Sequence, residues 1–383
     1  MKIKSIETFR LPEYRLSVWV RITTEDGMVG YGESTNEPIV TEAAIHHFMA
    51  PMLVGHDVEN MEDIWHRAYD RANYQGNAGA EIRALSAIDI ALWDLRGKAL
   101  GQPLYALLGG KVRDSVKVYN TCGNHGGRDI GIRDSSRFLE DAGALAKELL
   151  DSGITGMKIW PFDPLAAATR GQSISHADLQ KGLEPVKKIR DAVGGDMDIM
   201  MELHSLWNLP SSIRIANALE PYDIRWLEDA VNVDDVSNLA ELHSRTSIPV
   251  LASERLLTRW QYRPLLEKSA ADVVMVDLSW TGGISEGKKI AAMADAYRLP
   301  ITTHNCGGPV LTRACAHFCI STVNAIEMET VRAIYLCFPD VSASAFDIRG
   351  GRFHLDDAPG LGVDFKPETF ARADIAYQKT DLG

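Results

Sequence analysis

The sequence predicts an α/β protein: a modified (β/α) barrel of the TIM type, with an N-terminal α+β capping domain that the C-terminal tail completes. Three observations predict it. At 383 residues the chain exceeds one ordinary core. Its middle alternates short β-rich runs with helical segments at a nearly fixed interval, and its first part follows a different, mixed pattern.

In that first part, residues 3–11 and 16–22 read as strands, and the turn Glu25-Asp26-Gly27 leads into a third at 28–33, giving a small antiparallel sheet. Residues 81–100 read as a helix, with Leu85, Ile88, Ala91, Leu92 and Leu95 on one stripe and Gly101 as its stop. Eight β-rich runs follow, at 116–119, 156–160, 199–203, 224–227, 250–252, 273–276, 301–303 and 325–328. Helical stretches at 136–151, 178–192, 211–219, 236–246, 259–269 and 283–297 lie between them. Parallel strands need crossovers of this length. The alternation matches a closed barrel better than an open two-faced sheet, which periodicity alone does not exclude. The division is 1–112 for the cap, 113–335 for the barrel and 336–383 for a turn-rich return to the cap.

Composition narrows the function. With 45% hydrophobic and 24% charged residues the chain reads as an ordinary soluble globular protein. A formal net charge of -12 lacks the Lys/Arg excess that phosphate backbones or anionic lipids call for, so no nucleic-acid or membrane partner is expected. The opening residues do not read as a secretory signal, and no run approaches eighteen apolar residues, so no membrane span is expected. Five cysteines with no Cys-x-x-Cys pair read as reduced, mostly buried thiols, so a cytoplasmic location is expected. Cys122 and Cys306 each follow an apolar run and are candidates to line a pocket.

In such a barrel functional side chains gather at the C-terminal strand ends. Those ends carry Lys158, Glu202 with His204, Glu228 with Asp229, Glu254, Asp277, His304 with Asn305, and Glu329. From Glu202 to Glu228 is 26 residues, to Glu254 another 26, to Asp277 a further 23 and to His304 a further 27. Each interval is one strand-helix unit, so the residues sit at equivalent heights. Three carboxylates crowded in a low-dielectric mouth repel one another unless a cation neutralises them. All-oxygen ligation favours Mg²⁺, which keeps positions open for substrate oxygens. Asp277, one strand from His304, would hold an imidazole N–H and raise the ring's basicity, as suits a general base. If residues 199–203 extend as a strand, Glu202 and His204 point to the same side and Leu203 to the other.

The runs MELH (201–204), WLED (226–229), LASE (251–254), VVMVDLSWTGG (273–283), TTHN (302–305) and NAIEMET (324–330) resemble those of the enolase superfamily, mandelate racemase type, over essentially the whole chain. The resemblance implies chemistry on carboxylate substrates. Glu202, Glu228 and Glu254 would bind one Mg²⁺, and His304 with Asp277 would abstract the proton α to the carboxylate. Lys158 and Glu329 would stabilise the developing oxyanion, Glu329 through a raised pKa. A homo-oligomer is also implied.

Departures from that pattern select among reactions. Many relatives carry Lys-x-Lys on the second barrel strand, whereas here the run is Lys158-Ile159-Trp160, so a second base is missing and simple racemisation is disfavoured. The first metal position, commonly aspartate, is Glu202. His204 resembles the acid-x-histidine arrangement of acid-sugar dehydratases, in which the histidine protonates a departing β-hydroxyl. The leading expectation is therefore a Mg²⁺-dependent dehydratase of a sugar acid, an aldonate or similar, giving a 2-keto-3-deoxy acid. An epimerase, racemase or cycloisomerase on a related hydroxy acid is the near alternative, and an inactive sugar-acid-binding protein a distant one. A metal-dependent hydrolase lacks its usual histidines on the first barrel strand.

Candidate substrate contacts are Tyr14 and Arg15 in the cap loop at 12–17, Trp160 at the second strand end, Arg170 in the long segment 161–176, and Asn305 beside His304. Trp160, Phe162 and Trp207 form either a pocket wall or loop core. His125, Arg128 and Arg133, after the first barrel strand, are further candidates.

Overall fold

The computed structural model describes residues 1–76, 78–124 and 128–381. Strands β1 (Ile3–Arg10), β2 (Ser17–Thr24) and β3 (Val29–Thr35) form an antiparallel meander. The helix Ala80–Ala99 packs across this sheet, and β3 comes so close to it that a Cβ on Gly32 would lie 1.8 Å from Ala87 O. The helix ends where expected, with Gly101 at φ +62 accepting the left-handed turn.

The eight expected runs are present as β4 (Val116–Thr121), β5 (Gly156–Ile159), β6 (Asp198–Glu202), β7 (Ile224–Glu228), β8 (Val250–Ala252), β9 (Val273–Val276), β10 (Ile301–Thr303) and β11 (Ala325–Thr330). Each pairs in parallel with the next, and β11 pairs with β4. The barrel is closed, which decides against the open sheet. Its interior is filled by a compact group that includes Tyr119, Met200, Trp226, Leu251 and Met275. The barrel is therefore a packed core, and ligand space lies only beyond its strand ends.

Helices differ from expectation in two places. The helix expected at 136–151 is broken at Asp141 (φ -137, ψ 47) into Asp134–Glu140 and Ala142–Asp151. A further helix, Pro309–Ser321, follows β10. All of its residues are buried, so no amphipathic stripe marks it in the sequence.

The tail divides its loyalties. Strands β12 (Asp347–Arg349) and β13 (Arg352–His354) form a hairpin that adds to barrel strand β4. Strand β14 (Ala376–Asp381) then pairs with β1 and completes the cap sheet as expected. No helix among the described residues is long and apolar enough to cross a membrane.

Cap and barrel are joined by buried polar contacts around the loop after β9. Gly282 N donates to Ser86 Oγ at 2.8 Å, Trp65 Nε1 donates to Gly282 O at 2.7 Å, and Ser285 N donates to Asp89 at 3.0 Å. From β3, Glu33 accepts the N–H groups of Gly308 and Leu311 at 2.5 and 2.9 Å, satisfying the first turn of helix Pro309–Ser321. Burial pushes the Glu33 carboxyl up to about 7, against those two bonds.

Candidate active site

Strand register sets the heights of the polar residues. Glu202 and Glu228 are direct neighbours on β6 and β7, and Thr303 on β10 is level with Val276 on β9 and Met328 on β11. Asp277, His304 and Glu329 each follow by one residue and so share one level. A cavity of ≈ 580 Å³ opens above them between barrel and cap. Lys158, Trp160, Glu202, His204, Glu254 and His304 line it from the barrel.

Glu202 and His204 do reach one space, but not by strand alternation. Strand β6 stops at Glu202, and His204 and Ser205 adopt left-handed backbones (φ 46 and 57). His204 N–H turns back onto Glu202 Oε1 at 2.7 Å, while Leu203 is fully buried.

The acids are dense and dry. Glu202, Glu228, Glu254, Asp229 and Asp277 are at most 6% exposed. Glu228 receives Lys158 Nζ at 2.5 Å and the indole N–H of Trp226 at 3.2 Å. Lys158 also reaches Glu329 Oε1 at 2.7 Å and Glu202 Oε2 at 3.6 Å. Burial, reinforced by Glu228, raises the Glu202 carboxyl well above its ordinary range against the pull of Lys158. Burial together with the Asp229 charge pushes Glu254 up to about 7. Glu254 Oε2 and Asp229 Oδ1 are buried with no hydrogen-bond partner. A partnerless carboxylate oxygen among acids at a cavity wall suits a hard divalent cation, and the all-oxygen chemistry of Glu202, Glu228 and Glu254 is of the kind Mg²⁺ takes, although their ligand atoms do not gather within 4.8 Å of one another as a trio.

His304 Nδ1 lies 2.7 Å from Asp277 Oδ2, and Asp277 Oδ1 accepts both the N–H and the hydroxyl of Ser279 at 2.7 Å each. The aspartate is thereby fixed, and with it the ring. Burial lowers the affinity of His304 for its proton, but Glu329, Cys306 and Asp277 outweigh it and raise the pKa well above the ordinary value. Glu329 departs from expectation. Burial would raise its carboxyl, yet Lys158 and His304 flank it and hold it down to about 2. It accepts the Thr121 hydroxyl and the backbone N–H of Asn305, the latter at 2.8 Å, so in this arrangement it is an acceptor and not a donor.

Several expected contacts lie elsewhere. Tyr14 is buried, donates to Cys337 O at 3.0 Å and packs on Trp19, while exposed Arg15 borders a separate hollow with Arg10 and Asp374. Leu16, from the same loop, is the residue that lines the main cavity. Arg170 is exposed on a left-handed turn away from it. Asn305 is 2% exposed and serves Glu329 and Thr312. Trp160 does line the cavity, whereas Phe162 and Trp207 are loop core. Arg128 and Arg133 are exposed outside the cavity, and His125 lies outside the described residues.

Several further lining residues were not among the candidates. Asn36 and Arg83 come from the cap, Trp280 from the loop after β9, Arg255 from the residue after Glu254, and Asn232 from the loop after β7. Trp280 stands in the DLSWTGG run, its ring 5.1 Å from the His304 ring and 4.3 Å from the Arg83 guanidinium. Each follows a recognised strand end or lies in the cap, and single-residue periodicity carries no mark of either.

Residues 9–109 match the family described as mandelate racemase / muconate lactonizing enzyme, N-terminal domain, and residues 141–369 match enolase C-terminal domain-like. The chain belongs to the enolase superfamily. Among enolase-superfamily structures, one of the mandelate racemase subgroup from Agrobacterium tumefaciens is 40% identical, with a TM-score of 0.91 over 100% of this chain and 99% of its own. Another, from Sargasso Sea environmental sequence, is 38% identical with a TM-score of 0.91 over 100% and 99%. A relative from Variovorax paradoxus named D-galactonate dehydratase is 32% identical over 97% of this chain and 94% of its own length. One of the same name from Pectobacterium atrosepticum is 31% identical over 96% and 93%. In this superfamily member the resemblance read from the strand-end motifs is therefore borne out.

Proposed function

We propose that the protein is a Mg²⁺-dependent dehydratase of a sugar acid, an aldonate or similar, that removes the α-proton and expels the β-hydroxyl to give a 2-keto-3-deoxy acid. The observation that carries this reading is the pair of histidines in one cavity. His204 follows the third strand of the eight-stranded barrel and His304 the seventh, on opposite sides of the mouth. The dehydratase names of relatives about one-third identical over nearly the whole chain support it.

When bound, Mg²⁺ would be held by Glu202, Glu228 and Glu254 and would supply positive charge to the substrate carboxylate and to the enediolate. His304 takes the α-proton, and Asp277 stabilises the imidazolium that results. Lys158, on a neighbouring strand end, offers its ammonium to the charge developing on the carboxylate. Glu329 holds Lys158 and His304 in place as an ionised acceptor. His204 gives a proton to the β-hydroxyl as the C–O bond breaks, water leaves, and the enol reverts to the 2-keto acid. Trp160, where many relatives have a second lysine, removes the base that racemisation needs.

The test is a panel of aldonic and aldaric acids incubated with the Mg²⁺-loaded protein in D₂O. Formation of 2-keto acid is expected from at least one. Deuterium exchange at the α-carbon with no keto acid from any member would refute dehydration and favour epimerisation.

A further inference from the structure

One carboxylate at the mouth has no part in that chemistry. Asp163 opens the short helix Asp163–Ala166, directly after β5, and its Oδ2 lies 2.5 Å from His204 Nδ1. The Asp163 side chain is 16% exposed and the His204 side chain 38%. Trp160 meets the same imidazole edge-on, with ring centroids 5.6 Å apart, and is itself backed by Phe138 at 5.0 Å. The segment after one barrel strand thus grips, from two sides, the ring delivered by the next.

We propose that Asp163 is the positioning residue for His204, fixing a proton on Nδ1 and turning Nε2 toward the β-hydroxyl of the substrate. This rests on the dehydratase reading above.

Two observations argue for that role over loop packing. A carboxylate only accepts, so the shared hydrogen belongs to Nδ1, and the ring nitrogen left for substrate is Nε2. The other Asp163 oxygen, Oδ1, is buried with no partner, so the side chain neither caps its own helix nor ties the loop. His204 needs such a hold, because it stands on a left-handed turn beyond its strand and not within the sheet. The arrangement repeats on the far side of the barrel, where Asp277 holds His304 through the same Nδ1 atom. Trp160 then has a second meaning: the position that lost a base became part of a clamp on an acid.

Asp163→Ala and Asp163→Asn test this in the Mg²⁺-loaded protein, with a sugar acid that the parent dehydrates. A misaimed acid costs on the order of 10²-fold in rate. Asp163→Ala is therefore expected to lose that much kcat for keto acid while KM and the α-proton exchange rate hold. Asp163→Asn, whose amide oxygen still accepts from Nδ1, is expected to recover part of the loss. Unchanged kcat in Asp163→Ala, or a parallel fall of exchange, elimination and Mg²⁺ affinity, would overturn the proposal. Nitrogen-15 histidine spectra, with the His204 signal assigned through His204→Asn, give a readout independent of turnover. A protonated Nδ1 is expected in the parent, both in the ring that carries a transferable proton on Nε2 and in the ring left after transfer, and an altered Nδ1 signal in Asp163→Ala; identical Nδ1 signals in both would refute the clamp. If the parent makes no keto acid from any substrate, the dehydratase reading fails while the ring spectra still decide the role of Asp163.

Discussion

Lys158 Nζ lies 2.5 Å from Glu228 Oε1 and 3.6 Å from Glu202 Oε2, so the amine stands among the carboxylates assigned to the metal. On the proposed assignment the lysine would compete with the cation for these carboxylates while serving the same substrate. Lys158→Met should lose about 10²–10³ in kcat, as when a group that stabilises developing charge is removed. Its Mg²⁺ affinity by calorimetry should stay equal or rise, and a clear fall would mean that Lys158 organises the metal site instead of competing with it.

Metal affinity should also follow pH in a set direction. Glu254 is pushed up to about 7 and Glu202 is raised as well, so at mildly acidic pH metal binding must expel protons. Mg²⁺ binding is expected to strengthen as pH rises through about 7, with proton release seen by calorimetry in buffers of different ionisation enthalpy. Binding near pH 6 without proton release would contradict it.

The same carboxyls govern stability without metal. A carboxyl whose folded pKa is raised favours the fold while protonated, fully so below its unfolded value, and that contribution is lost as pH rises through the folded value. Glu33, Asp89 and Glu254 are all raised to about 7. In EDTA the melting temperature should fall as pH climbs from the ordinary carboxyl range to about 7, and Mg²⁺ should recover the share that belongs to Glu254.

The two histidines should separate by isotope exchange. His304→Asn is expected to abolish both α-proton exchange and keto acid formation, and His204→Asn to abolish keto acid alone, both with Mg²⁺ still bound. Loss of exchange in His204→Asn would place that ring at the α-proton and not at the leaving group.

A softer metal should inhibit. Ligand atoms of His304, Cys306 and Glu329 lie within 4.8 Å of one another, the one such trio among the described residues, and nitrogen with sulfur prefers Zn²⁺ to Mg²⁺. Zn²⁺ added to the Mg²⁺ enzyme is expected to block turnover by occupying His304, and Cys306→Ser to relieve the block. Equal Zn²⁺ sensitivity in both proteins would refute that site.

The barrel was legible because eight strand-helix units repeat, and the strand-end acids because their spacing repeats with them. Glu202 stands level with Glu228, and Asp277 with His304, as that spacing implies, whereas Glu228 pairs with Leu251, three residues before Glu254. What escaped has no period. Helix Pro309–Ser321 is buried on every side, so burial erased the stripe that would have announced it. Tyr14 and Arg15 lie in the right loop, but which side chain of a short loop faces inward depends on its turn, and here Leu16 does. Arg83 and Trp280 meet only when cap and barrel close, a contact between distant stretches of sequence. The direction of the Glu329 shift is not legible in the sequence, because it depends on Lys158 and His304 arriving from two other strands.

The pairing of β14 with β1 has a consequence for assembly. The roof over the cavity is stitched from nearly opposite stretches of sequence, so its sheet closes only after the intervening barrel has brought them together. Contacts of such long sequence separation form late and slowly. Without that last strand β1 would be left as an open edge of the roof, its backbone N–H and C=O groups facing water.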